Sequence, residues 1–327
     1  KAVPFARGFL LLDQAHEGIM AVRSAVVSTL LLSLLSGRIM VEPCVKDGAV
    51  VPCGSTIGTV RMSTLLEVQH EVWATIGGHG HGWWSYERFS KVSRRLGFDP
   101  VNDRTNVTLP HSRQDCALQG WSDLPTVQRR LHKAPFVVSL VDQLNQNLCL
   151  LDDNVAFELS LRLLVYPTTI VEAAATAVRP LLKDRPLHVV HWRTIHLPAE
   201  TFERCARWVG RMIEAIATGP TSPLVYLLTD LPALNDSAMK WGDNRYSFAP
   251  ERRAWQQVVA SSPYLIHPKF DPTNEILDAG TISLLEQSIA MQAGALTTCG
   301  WKNRTAACLE CNYVGKFTRV LVGLRER

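Results

Sequence analysis

The feature that most constrains the fold is an alternation of short apolar strands and longer helices in both halves of the chain. Residues 8–12 (GFLLL) predict a strand, residues 19–35 a long apolar helix, and residues 39–41 a second strand. This order of strand, loop, helix and strand is the unit of a parallel α/β sheet. Residues 224–229 (LVYLLT) are apolar on both faces, which is typical of a central parallel strand.

The second half repeats the pattern more regularly. Predicted helices at 170–182, 199–217, 281–293 and 316–325 alternate with predicted strands at 187–192, 224–229, 265–266 and 294–298. Helix 199–217 carries apolar residues three and four positions apart, the spacing of one buried helical face. The alternation in each half predicts two Rossmann-like domains, residues 1–170 and 171–327, that face a central cleft.

Composition excludes several classes of protein. The chain has 327 residues, of which 46% are hydrophobic, so it has too much apolar character for intrinsic disorder. Its net charge of +4 is mild and requires neither nucleic acid nor an anionic membrane as a partner. The longest apolar stretch, residues 25–35, is about half the ~20 residues of a membrane-spanning helix, which predicts a buried helix and no membrane span.

The eight cysteines are compatible with buried thiols or with disulfides in an oxidising compartment. Cys44 and Cys53 flank a turn-like segment that a disulfide could close. Cys205 lies in the middle of a predicted helix and is interpreted as a free core thiol. Cys308 and Cys311 form a CxxC pair without a second pair, which favours a disulfide or free thiols over zinc.

Three N-glycosylation sequons accompany the cysteines, at Asn106, Asn235 and Asn303. About one would be expected by chance, so the excess is small. Taken together, the cysteines and sequons favour a secretory-pathway lumen.

One candidate site lies where strand 187–192 ends in His191-Trp192-Arg193. An arginine at the carboxyl end of a parallel strand points into the ligand crevice, where its guanidinium can bind a phosphate with two parallel hydrogen bonds. The alternative is a surface arginine paired with a carboxylate.

A second candidate site lies in the loop after the first strand, which contains Glu17 and Gly18 and is followed by Arg23. The next helix begins here, and its free N–H groups could bind an anion. Glu17 is either a general base or a residue that complements the helix dipole. The segment HEGIM lacks the second histidine of a zinc-protease motif, and we expect no metal site.

These segments resemble the protein O-fucosyltransferase family, most closely the type that modifies thrombospondin-type repeats. Residues 16–43 are similar to the family's opening loop, helix and strand, and His191-Trp192-Arg193 matches its H-x-R motif. The segments 284–299 and 315–327 resemble the region that ends in Ser/Thr-Phe-Ser/Thr and a closing helix.

The resemblance implies a GT-B-type fold and a protein of the endoplasmic reticulum or Golgi lumen. It further implies that Glu17 is the catalytic base and that Arg193 binds the GDP phosphates. It also implies a nucleotide site made by Gly18, Arg23, His191, Glu286, Gly315, Phe317 and Thr318. The sequence departs from the family pattern at Glu286, where aspartate is usual, and at Lys316, where serine or threonine is usual. Residues 299–314 resemble an insertion.

The expected activity is metal-independent, inverting transfer of fucose from GDP-fucose to a serine or threonine hydroxyl of a protein. The partners are then a nucleotide sugar and a protein acceptor, with no nucleic acid. Two alternatives stay open because the departures lie in the nucleotide pocket: a non-catalytic scaffold or binding subunit, and a transferase that uses another nucleotide sugar.

Overall fold

The fold is known from a computed structural model of the chain. It describes residues 8–13, 19–46, 49–53, 59–78, 82–108, 123–141, 153–194, 197–229, 248–260, 263–266, 279–298, 310–311 and 316–325.

The chain divides into two compact units, Lys1–Ile170 with Pro272–Leu284, and Val171–Asp271 with Leu285–Arg327. The sequence prediction places the boundary at the same point but assigns residues 272–284 to the C-terminal domain.

The described strands are β1 (Phe9–Leu12), β2 (Ile39–Val41), β3 (Cys44–Lys46), β4 (Ala49–Val51), β5 (Val60–Arg61), β6 (Glu67–Val68), β7 (Trp83–Trp84), β8 (Thr105–Thr108), β9 (Val137–Val141), β10 (Leu164–Val165), β11 (Leu187–Trp192), β12 (Leu224–Thr229), β13 (Leu265–Ile266) and β14 (Ala295–Thr298).

The described helices are α1 (Ile19–Ser36), α2 (His70–Thr75), α3 (Tyr86–Arg95), α4 (Leu124–Lys133), α5 (Asp153–Leu163), α6 (Thr168–Leu182), α7 (Phe202–Ile216), α8 (Phe248–Val259), α9 (Ala279–Gln292) and α10 (Lys316–Arg325).

The first unit is built on a parallel sheet of order β7-β2-β1-β9-β8. Its central strand is β1, in which Phe9 is in register with Ile39 of β2 and with Val137 of β9. All four residues of β1 are buried, as expected for a strand covered on both faces. The parallel α/β class predicted from the sequence is thereby confirmed for this unit.

Helix α1 is apolar around most of its circumference because it packs against β1, β2, α4 and α5. Its buried hydroxyl groups donate to carbonyls of the preceding turn, as Thr29 Oγ1 does to Ala25 O at 2.8 Å. The helix ends at Gly37, whose φ of +63° is the left-handed conformation of a helix cap.

Arg38 follows this cap and connects the start of β2 to the end of α4. Its side chain is buried, and its Nη2 donates to Leu131 O at 2.7 Å and to Ala134 O at 2.9 Å. Its Nη1 donates to Pro135 O at 2.8 Å. The arginine therefore satisfies several carbonyls that the C-terminus of a helix leaves open.

Two small antiparallel sheets, β4-β3-β5 and β10-β6, complete the described part of the first unit. The disulfide Cys44–Cys53 closes the β3–β4 hairpin, which confirms the predicted bridge. Asn106 is exposed on β8, while Asn235 and Asn303 lie outside the described residues.

The second unit is built on a parallel sheet of order β13-β12-β11-β14. One face contributes Val190, Trp192, Val225 and Leu227 to a cluster with residues of α7 and α8. The alternating side chains point to the other face, where Tyr226 contacts α9. Strands β11, β12 and β13 have the predicted bounds, and this unit also confirms the parallel α/β class.

The interpretation of Cys205 as a free thiol was wrong. Cys205 on α7 forms a disulfide with Cys311, 106 residues later in the sequence. The four described cysteines are all in disulfides, whereas Cys299 and Cys308 lie outside the described residues. Among the described helices, none has the length and apolar content of a membrane-spanning segment.

Candidate nucleotide site

The candidate site is centred on the carboxyl end of β11, where the predicted site residues His191 and Arg193 lie two positions apart. His191 pairs in register with Leu228 of β12 and Thr298 of β14, and Trp192 pairs with Thr229. Arg193 is the first residue beyond the ladder. Consecutive strand residues face opposite sides of a sheet, so His191 and Trp192 anchor this end from both faces.

His191 is a buried, neutral base at this strand end. It is 4% exposed, and its Nδ1 lies 3.2 Å from the hydroxyl oxygen of Thr298. Burial, and to a smaller extent the nearby charge of Arg193, lower the pKa of His191 to about 3. At neutral pH, therefore, Arg193 and not His191 supplies positive charge here.

Trp192 is fixed on the opposite face. The indole is 1% exposed, and its Nε1 donates to Cys311 O at 2.8 Å. Cys311 is in turn covalently bound to Cys205 of α7. The partners Thr298 and Cys311 were not found from the sequence, because the strand pairing and the disulfide that bring them here are long-range contacts.

Arg193 is partly exposed, unlike its two buried predecessors. It is followed by Thr194, which is 2% exposed. A partly exposed guanidinium beside a buried neutral imidazole can bind an anion at the edge of the sheet without the cost of burying an isolated charge.

Glu286 on α9 contacts the sheet. Its Oε1 accepts a hydrogen bond of 2.9 Å from the hydroxyl of Tyr226 on β12. Burial, the carboxylate charge and this hydrogen bond raise the pKa of Tyr226 well above its usual value, so the tyrosine stays protonated and donates. This contact holds α9 on β12, and the predicted contact of Glu286 with a nucleotide stays a prediction.

Thr318 lies in the first turn of α10 and is fully buried. Among the described residues, nothing accepts or donates a hydrogen bond at its Oγ1. A buried hydroxyl without a partner is costly, and a ligand oxygen would satisfy it. The backbone of Phe317 belongs to α10, but its side chain and Gly315 lie outside the described residues.

Arg23 belongs to the first unit, where its described contacts are structural. It is 1% exposed, and its Nη2 donates to Ser160 O and Leu164 O at the end of α5. Its guanidinium lies 5.6 Å from the ring centre of Tyr166. A cation at the C-terminus of a helix is stabilised by the helix dipole, so these contacts fix α1 against α5. The predicted contact of Arg23 with a nucleotide stays a prediction.

Glu17 and Gly18 lie outside the described residues. Within the residues that the structure describes, no group of three or more histidine, cysteine, aspartate or glutamate side chains could hold a metal ion.

Comparison with solved structures shows that the fold is a known one. The structure of POFUT1 in complex with GDP-fucose is similar with a TM-score of 0.54 and 12% identity, covering 99% of this chain and 96% of that chain. POFUT1 in complex with GDP gives a TM-score of 0.52 at 11% identity, covering 99% and 96%.

The fucosyltransferase NodZ from Bradyrhizobium is 13% identical with a TM-score of 0.48, covering 96% of this chain and 91% of that chain. Neither the models of known families nor the curated protein sequences match the chain. The chain thus has the POFUT1 fold, which confirms at the level of fold the resemblance to the O-fucosyltransferase family.

Proposed function

We propose that this chain is a fucosyltransferase that takes fucose from GDP-fucose and binds the donor diphosphate with Arg193. The single observation that carries the proposal is the position of Arg193, directly after a central parallel strand. Ligands of open α/β sheets bind at such carboxyl ends. The likeness to POFUT1 in complex with GDP-fucose, over 99% of this chain, supports the choice of donor.

The charge pattern at the strand end supports an anionic ligand. His191 is neutral, so the charge of Arg193 is not doubled by a second cation that would have to be desolvated. A guanidinium can give two parallel hydrogen bonds to phosphate oxygens, and it stabilises negative charge on the leaving group. The unsatisfied hydroxyl of Thr318 is a further donor for a phosphate or base in this proposal.

The proposed reaction is a single displacement with inversion at the anomeric carbon of the donor sugar. The oxygen of a serine or threonine hydroxyl on the protein acceptor attacks the anomeric carbon of fucose. The bond from this carbon to the β-phosphate oxygen breaks, and its electron pair leaves with GDP. Glu17 accepts the proton of the hydroxyl. Arg193 carries the charge compensation that metal ions provide in other transferases.

The two disulfides among the described residues fit a protein of an oxidising compartment, and we propose the lumen of the endoplasmic reticulum or Golgi.

Calorimetric titration with GDP and GDP-fucose tests the donor assignment. We expect Arg193→Ala to weaken GDP binding by at least about tenfold, because a charge-assisted contact is lost. Arg207→Ala, an exposed arginine on α7, is the matched control and should bind GDP like the wild type. Equal GDP affinity of the Arg193 variant and the wild type would contradict the role of Arg193.

Glu17→Gln separates catalysis from binding. We expect this variant to lower the rate of fucose transfer, measured as GDP formed from GDP-fucose, by about 100-fold or more. GDP affinity should stay within about twofold, because only proton acceptance is lost. A collapse of GDP affinity would instead make Glu17 a structural residue.

A non-catalytic binding subunit is the second candidate. The contact that favours it is Tyr226 with Glu286, because this contact already occupies an oxygen of the carboxylate assigned to the nucleotide. Absence of wild-type binding to GDP and GDP-fucose at millimolar concentration would favour this candidate, and binding of a different nucleotide sugar would favour another donor.

A further inference from the structure

Arg193 follows a strand end that is held by a side chain with no place in the proposed chemistry. We propose that Trp192 is a positioning residue for Arg193, and that it acts through its hydrogen bond to the disulfide-held carbonyl of Cys311. The inference rests on the proposed function, because it concerns how Arg193 is presented to a nucleoside diphosphate. Its first support is the 2.8 Å bond from Trp192 Nε1 to Cys311 O.

The strand ladder alone does not define the direction in which Arg193 leaves the sheet. The last ladder pairs of β11 are His191 with Thr298 and Trp192 with Thr229. Arg193 lies one residue beyond them, so its backbone direction depends on how firmly its predecessors are held. His191 is held by Thr298 on one face, and Trp192 by Cys311 O on the other.

The carbonyl that accepts the hydrogen bond of the indole is itself held in place. Cys311 is 2% exposed and is covalently bound to Cys205, which lies in the core of α7 with no exposed surface. The same cluster of buried side chains contains Trp192, Cys205 and Cys311. The disulfide therefore ties the buried acceptor of Trp192 to α7.

Both ends of this hydrogen bond are buried, so breaking it leaves a carbonyl without its donor in the core. That cost is relieved by movement of either the strand end or the 310–311 segment. Movement of the strand end displaces Arg193, and a small displacement is enough to weaken a bidentate contact with a phosphate.

The variant Trp192→Phe tests this arrangement, because it retains an aromatic ring in the cluster and removes only the N–H donor and one ring. Trp208→Phe is the matched control, since Trp208 packs against the same cluster from α7 and is partly buried. We expect GDP affinity to fall by about tenfold in Trp192→Phe and by less than about twofold in Trp208→Phe.

The double variant Cys205→Ser/Cys311→Ser removes the covalent link and should weaken GDP binding to a similar degree. Because loss of a covalent link can unfold a chain, Trp192→Phe remains the decisive variant. A thermal melt separates a positioning role of Trp192 from a purely structural one. If the role is only structural, the melting temperatures of both tryptophan variants fall together and their GDP affinities stay alike.

Hydrogen exchange at the amides of residues 191–194 provides a readout that needs no ligand. We expect faster exchange there in Trp192→Phe than in Trp208→Phe. Unchanged GDP affinity together with unchanged exchange would overturn the inference. If the wild type binds no GDP, the proposed function fails. In that case, faster exchange in Trp192→Phe would still support the inference that Trp192 positions Arg193. Unchanged exchange would overturn the inference together with the proposed function.

Discussion

Asp13 and Arg104 form an ion pair at the carboxyl end of β1, with both side chains only 9% exposed. The hydroxyl of Ser139 on β9 donates to the same carboxylate oxygen, Oδ2. The pair therefore joins the loop after β1 to the start of β8 and to β9. Removing one member of a buried pair leaves the other charge without compensation, which costs more than the pair itself contributes.

We predict that Asp13→Asn and Arg104→Met each lower the free energy of unfolding by about 3 kcal/mol. The double variant should lose less than the sum of the two, because it leaves no unpaired charge. Urea unfolding of the four proteins measures both quantities. Strict additivity would show that the two side chains do not interact.

An exposed pair in the same unit is the control. Arg61 and Glu87 form an ion pair whose side chains are 51% and 57% exposed. Water screens such a pair, so Arg61→Met should cost no more than about 1 kcal/mol.

Arg38 supports the second stability prediction. Its guanidinium binds the carbonyls at the end of α4, and burial lowers its pKa while these bonds compensate the lost hydration. We expect Arg38→Met to lower the free energy of unfolding by about 3 kcal/mol, since it leaves the buried carbonyl of Leu131 and the partly buried carbonyls beyond it without this donor. Arg129→Met, an exposed position on α4, should change it by less than about 0.5 kcal/mol. A difference between the two of less than 1 kcal/mol in chemical unfolding would contradict this role.

The third prediction concerns pH. The folded-state pKa of His191 is lowered to about 3, mainly by burial, whereas the unfolded chain has the ordinary value of 6.5. Between these values the unfolded state binds more protons than the folded state, so this histidine destabilises the fold as the pH falls from 6.5 towards 3. The loss is on the order of 2–4 kcal/mol across that range.

His191→Gln should remove that component, so that its unfolding free energy falls less steeply between pH 6.5 and 4 than that of the wild type. Parallel curves for wild type and His191→Gln would show that the imidazole becomes protonated without cost.

Much of the fold was predictable because its strands and helices have strong local signals. The bounds of β11, β12, β13 and α10 agree with the sequence prediction, and those of α1 differ by one residue. The small antiparallel sheets were missed, since their strands are two or three residues long and carry no alternation to detect.

The candidate site was predictable only in part. Arg193 and His191 stand out because they follow an apolar strand, which is a local pattern. The partner Cys311 could not be found in this way, since the Cys205–Cys311 link depends on tertiary packing and the mid-helix position of Cys205 favours a thiol. Arg38 was missed for a related reason: its acceptors are backbone carbonyls, which leave no trace in a sequence.

The pairing of β1 affects how the first unit folds during synthesis of the chain. Phe9 lies between Ile39, which is synthesised soon afterwards, and Val137, which is synthesised much later. Until β9 has emerged from the ribosome, one edge of a fully apolar strand has no partner and can pair with another chain. Completion of the central sheet therefore has to wait for long-range closure, and we expect the nascent chain to need protection from aggregation until β9 is available.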